Sequence, residues 1–259
     1  MRRSLARRDY QTLPDSMTLL ARLLFALALA LAFSNAALAS DCAPELPNAR
    51  IENATPFERA AACEGLARAH RFFVAQGFSP ALDRQPITFR FAPIVRIPCL
   101  ERDASASCEG PRVAGLFDAQ NALIVSTRAD DPWMRSAQRH YFKLRYDNEL
   151  YISVLAHEAT HAINKQFYRF EPDQHGPDEY IAYASQLWSM DPAMRAQALS
   201  KYPPKRFTFR TELNINDITH FMDPHGFGAM SYRHFLTPAG GSAMMRRIYS
   251  GAYRPPTMD

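Results

Sequence analysis

The sequence predicts an α+β fold. Short segments of alternating apolar and polar residues fill the stretch from 87 to 126. Helical spacing of apolar residues takes over after Asn148. Clusters of Pro, Gly, Asn and Asp separate the segments. The chain has 259 residues, 47% hydrophobic and 22% charged, which excludes a disordered protein. Its 10 glycines and the lack of a lasting heptad exclude a collagen-like or coiled-coil rod. A chain this long can bury a core of its own.

Leu23 to Phe33 is an unbroken apolar run preceded by Arg22 and followed by Ala37-Leu38-Ala39. It is short for a membrane span, and the small residues suit a leader peptidase. Residues 1–39 are therefore expected to be a secretory signal peptide cut after Ala39, with a retained membrane anchor as the alternative. Met17 would start an ordinary leader of its own, and Arg7-Arg8 matches a twin-arginine signal poorly. Residues 40–259 then form a single exported domain, periplasmic or extracellular, expected to be monomeric.

The leader carries five of the 30 basic and two of the 26 acidic residues, leaving 25 and 24. No basic excess remains to argue for nucleic acid or an anionic membrane. All four cysteines, Cys42, Cys63, Cys99 and Cys108, lie in the exported part. An even count there points to two disulfides. Of the three pairings, Cys42–Cys63 and Cys99–Cys108 close the short loops. The spacings do not suit a cysteine zinc site.

Residues 40–54 read as an extended arm with Pro44 and Pro47. Thr55-Pro56-Phe57-Glu58 is a capping box with Pro at the first helical position, and the helix runs to Gln76 with Gly77 as its stop. Cys63 would tie this helix to the arm. Ile87–Phe91 alternates as a half-buried strand, and Ile94–Ile97 is a second, short strand. Val113–Phe117 and Ala122–Ser126 flank Asp118-Ala119-Gln120-Asn121, a hairpin signal. Tyr151, Ile152, Leu155, Ala159, Ala162 and Ile163 then follow helical spacing. Gly176-Pro177-Asp178 begins another helix, and Asp191-Pro192 a third, ending near Tyr202. The last fifty residues mix short helices with turns at Pro224, Gly226, Gly228 and Gly240-Gly241.

His157-Glu158-Ala159-Thr160-His161 carries the chemistry. On a helix, positions i and i+4 share a face, so both imidazoles can reach one ion while Glu158 stands beside it. Two neutral nitrogen ligands and a carboxylate base are what metal-assisted hydrolysis needs. A catalytic zinc takes a third protein ligand. Glu179, 18 positions after His161, leads the candidates, with His175 and Asp178 as alternatives.

HEATH followed by Glu179-Tyr180-Ile181-Ala182-Tyr183 resembles the zincin metallopeptidases, in particular the gluzincin branch. The resemblance covers about residues 110–190. The metzincin extension is absent, since Asn164 and Phe167 stand where its Gly and third His would be. The pattern around Glu179 also differs from the thermolysin-like enzymes. The resemblance implies a small N-terminal sheet whose edge hairpin packs on an active-site helix, then a mainly helical C-terminal part. It implies one zinc ion held by His157, His161 and Glu179, with Glu158 as general base toward a peptide or protein substrate. A further donor should face the developing oxyanion. His220, His225, Tyr232 and His234 are candidates, and His225 leads because Asp223–Gly228 reads as a shaped loop. Asp217 and Asp223 are candidates to orient the ligand imidazoles. Two other readings compete: a zincin-fold binding protein without turnover, and a zinc hydrolase acting on a non-protein amide such as cell wall.

Overall fold

In a computed structural model, the described residues are 41–42, 46, 48–82, 86–97, 110–136, 141–168, 175–253 and 255. The leader, Cys99 and Cys108 lie outside them. Ser40–Asp259 make up one unit by their internal contacts.

Helix α1 (Pro56–Ala75) begins at the capping box read from the sequence. Thr55 Oγ1 accepts from the Glu58 amide, and Glu58 accepts from the Thr55 amide in return. Glu58 is 1% exposed and also takes Arg128 Nη1 at 2.9 Å and the Ala129 amide at 3.1 Å. One carboxylate thus starts the helix and fastens it to the chain after the hairpin. At the other end Phe78 N donates to Phe73 O and Gly77 N to Val74 O, with Gly77 at φ +79°. That is a Schellman ending, which the left-handed backbone of glycine allows. The Cys42–Cys63 disulfide ties α1 to the arm, as expected.

The arm is not merely extended. Its residues Ala49–Glu52 form β1, which pairs in parallel with β2 (Ile87–Ala92). Ala49 and Ile51 face the core while Arg50 and Glu52 face out, an alternation short enough to pass as an arm. Strand β6 (Leu123–Thr127) pairs in parallel with the other side of β2, and β5 (Gly115–Asp118) is antiparallel to β6. The sheet order is β1-β2-β6-β5, so the predicted hairpin supplies an edge strand. Asp118 closes its turn by accepting from the Gln120 and Asn121 amides. Only Val95–Arg96 of the second predicted strand is extended. As β3 it pairs with β4 (Arg112–Val113) in a separate small ladder.

A short helix α2 (Pro132–Ser136) follows the sheet. Helix α3 (Asn148–Asn164) lies against β5, β6 and α1. Its Tyr151 hydroxyl donates to Thr127 O at 2.9 Å. Gly65 of α1 sits where a Cβ would lie 2.8 Å from the Leu155 Cβ, so the two helices approach closely only because that residue lacks a side chain. Helices α4 (His175–Ser189) and α5 (Pro192–Ser200) come next. After a 3-10 turn at Glu212–Asn214 come α6 (Asp217–Met222), α7 (Pro224–Phe235) and α8 (Gly241–Tyr249). Pro224, Gly226 and Gly228, expected as turns, lie inside α7 instead. Pro224 occupies its start, and Gly228 is there for packing: a Cβ would meet the Tyr183 ring at 2.6 Å. Among the described residues no helix is long and apolar enough to cross a membrane.

Candidate metal centre

Asp147 caps α3 by accepting from the Leu150 amide at 2.9 Å. From Ser153 to Asn164 every residue of this helix is buried. A helix apolar on most sides sits inside the fold rather than on it, and polar residues within it need partners. His157, Glu158 and His161 are 9%, 7% and 8% exposed.

Their partners come from α4, which packs along α3. Glu179 Oε2 stands 3.3 Å from His157 Nε2, and Glu179 Oε1 stands 3.7 Å from His161 Nε2. The two imidazole Nε2 atoms are 3.2 Å apart. All three ligand atoms lie within 4.8 Å of one another. Zinc bound tetrahedrally at about 2.0–2.1 Å to two nitrogens holds them about 3.3 Å apart. The donor types and their spacing therefore fit zinc.

Asp178 does not join the cluster. It turns to the far side of His161, with Oδ2 at 2.7 Å from Nδ1. A carboxylate only accepts, so His161 bears its proton on Nδ1 and presents Nε2 to the cluster. Among the described residues His157 Nδ1 has no hydrogen-bond partner. Its ring instead meets Tyr183, centroids 4.6 Å apart. Asp217 and Asp223 serve elsewhere: Asp217 accepts from the Gly176 amide, and Asp223 from the Gly226 amide at the start of α7. His175 is exposed at the first residue of α4, outside the cluster.

Glu158 faces the edge strand. A Cβ on Gly115 would lie 2.6 Å from its Cγ and Oε1, so the β5 backbone passes directly over this carboxylate. Burial raises the Glu158 pKa, and the neighbouring His157 and His161 offset only part of that. Burial would lower the His161 pKa, but Asp178 and Glu179 outweigh it and hold it up at about 10. Glu179 is held well below the usual carboxylate range, burial being overcome by His161 and His220.

His220, on α6, is the C-terminal imidazole brought to the cluster. Its Nε2 lies 3.6 Å from Glu179 Oε2, and its side chain is 12% exposed. His225 packs on Tyr141 and Phe142, centroids 5.5 and 5.2 Å away. Because Asp223–Gly228 is the start of α7 rather than a shaped loop, His225 sits in a helical first turn. His234 is engaged by Tyr180 at 2.9 Å and lies 3.6 Å from Glu212. Tyr232 is buried against Phe235 and Arg195. The sequence offers Tyr141 only as one of an aromatic pair, with Phe142, that could line a groove; its hydroxyl accepts from the Ala114 amide beside the strand that crosses Glu158. That juxtaposition across the fold is what ties it to Glu158.

A family model described as a family of unknown function, DUF6639, matches residues 49–256. The chain belongs to this family. The DUF6639 match begins at the first residue of β1 and spans His157, Glu158, His161, Asp178, Glu179 and His220. No curated protein and no solved structure matches the chain.

Proposed function

We propose that this chain is an exported zinc-dependent metallopeptidase in which Glu158 is the general base. One observation carries the reading: His157 Nε2, His161 Nε2 and the Glu179 carboxylate converge on one point beside a buried carboxylate that is not among them. A purely structural site has no use for Glu158 there. Zinc held by the three residues would act as a Lewis acid toward a scissile carbonyl and bring a water's pKa toward about 7.

The chain's own residues supply the rest. Glu158 takes a proton from the water that attacks the scissile carbonyl and returns it to the leaving amine as the C–N bond breaks, and its raised pKa suits both halves of that exchange. His161 is oriented by Asp178 through Nδ1. His220, beside Glu179, is the donor to the developing oxyanion in this reading. Among the described residues β5 is the last strand of the sheet, so a peptide can add to it as a further strand that crosses Glu158 at Gly115. That edge favours a peptide substrate over a non-protein amide. Export rests on the apolar run before Ala39 and on the Cys42–Cys63 disulfide.

The test is a peptide-library digest by residues 40–259 beside Glu158→Gln. The reading requires cleavage by the wild type, chelator-sensitive, and none by a variant that still binds zinc. Cleavage of cell-wall fragments with no peptide cut would replace it by the amidase reading.

A further inference from the structure

Behind Asp178 a chain of hydrogen bonds leads away from the cluster. Asn164 Nδ2 donates to Asp178 Oδ1 at 2.6 Å. The Tyr249 hydroxyl donates to Asn164 Oδ1 at 2.6 Å. Asn164 closes α3 and is fully buried, and Tyr249 closes α8. The direction of the chain is forced. Asp178 as a carboxylate can only accept, so Asn164 must turn its amide nitrogen toward it. The carboxamide oxygen then faces Tyr249, which must donate. Burial, with the Asp178 charge behind it, raises the Tyr249 pKa well above normal, so the phenol keeps the proton it donates. The Tyr249 ring is held by Phe78 and Phe167, with centroids 5.2 and 5.3 Å away.

We propose that Tyr249 and Asn164 are positioning residues for the metal centre: through Asp178 they hold the tautomer and orientation of the ligand His161. The C-terminal helix is thereby part of the site's frame, 88 positions along the chain from the ligand it steadies. Asp178 alone could rotate about its side-chain torsions. With both oxygens engaged, one by His161 and one by Asn164, it cannot do so without breaking a buried hydrogen bond.

This inference rests on the zinc reading above, and its test separates the two. Zinc affinity is measured by competition with a chromophoric chelator for wild type, Asp178→Ala, Tyr249→Phe and the double variant, all as residues 40–259. Phe keeps the ring contacts, and the melting temperature of each metal-free protein checks the fold. Losing a bond to the ligand imidazole should weaken zinc about 10- to 100-fold in Asp178→Ala. Tyr249→Phe should weaken it about two- to tenfold, the worth of one hydrogen bond. In the Asp178→Ala background Tyr249→Phe should cost no further affinity, because the path to His161 is already cut. A general packing role would instead give the same loss in both backgrounds, and that result overturns the proposal. So does wild-type affinity in Tyr249→Phe. Asn164→Asp, which sets two carboxylates face to face, is a second break in the chain and must weaken zinc as well. A folded wild type that binds no zinc overturns the metal reading itself.

Discussion

Gly115 lies directly over Glu158, close enough that a single methyl group at its Cα would fall 2.6 Å from the carboxylate. Strand and base are therefore one structural unit, since the edge that would receive a substrate also confines the group that would act on it. Gly115→Ala must push either β5 or Glu158 aside. Hydrolysis should fall at least tenfold, while zinc stays bound because Glu158 is not among the ligands. Zinc content and peptide cleavage measured on the same sample check this, and unchanged cleavage would show that the strand does not set the base.

The raised pKa of Glu158 has a consequence for stability. Burial is its largest cause, and the folded value exceeds the ordinary glutamate value of 4.5 that the unfolded chain would have. The folded protein thus holds this proton more tightly than the unfolded one. That contribution is complete below pH 4.5 and is lost as pH rises through the folded value. Glu158→Gln has no proton to lose. In metal-free protein its stability advantage over wild type should grow as pH rises above 4.5, read by urea denaturation across pH. A pH-independent difference would contradict the shift.

His220 and His225 should separate sharply. Removing an oxyanion donor costs about 10²–10³ in turnover. His220→Ala should show a loss of that order with zinc retained. His225→Ala, whose ring packs on Tyr141 and Phe142, should cost far less. Steady-state kinetics of the two variants decide it.

The Cys42–Cys63 bond joins residues 21 positions apart. Closing a loop of that size stabilises by about 3 kcal/mol. Replacing both cysteines by serine should lower unfolding free energy by about that amount and leave zinc affinity unchanged, because neither residue belongs to the cluster. Denaturant melts and zinc titration test the two halves.

What could be read from the residues was whatever rests on local spacing. The capping box at Thr55, the Asp118 turn and the i, i+4 pair His157 and His161 are all set within a few positions of chain. Glu179 was also accessible, because a helix following α3 after a break returns along it. What could not be read depends on direction or on distant packing. Asp178 and Glu179 are neighbours, yet about 100° of helical rotation sends one to the outer nitrogen of His161 and the other to the cluster. His220 reaches Glu179 only because α6 folds back over α4, which no spacing announces. Pro224, Gly226 and Gly228 looked like a loop because Gly and Pro punctuate most chains. Here Gly228 makes room for Tyr183 instead. Strand β1 was hidden by its four residues and by a partner, β2, that lies beyond a whole helix.

A zinc site built by His157, His161 and Glu179 is first checked by metal content. Bound zinc per chain is measured for residues 40–259, wild type and Glu179→Ala side by side. One zinc in the wild type and a loss or sharp weakening in the variant are expected. A well-folded wild type that holds no zinc, or a variant that binds as tightly as its parent, would contradict that site.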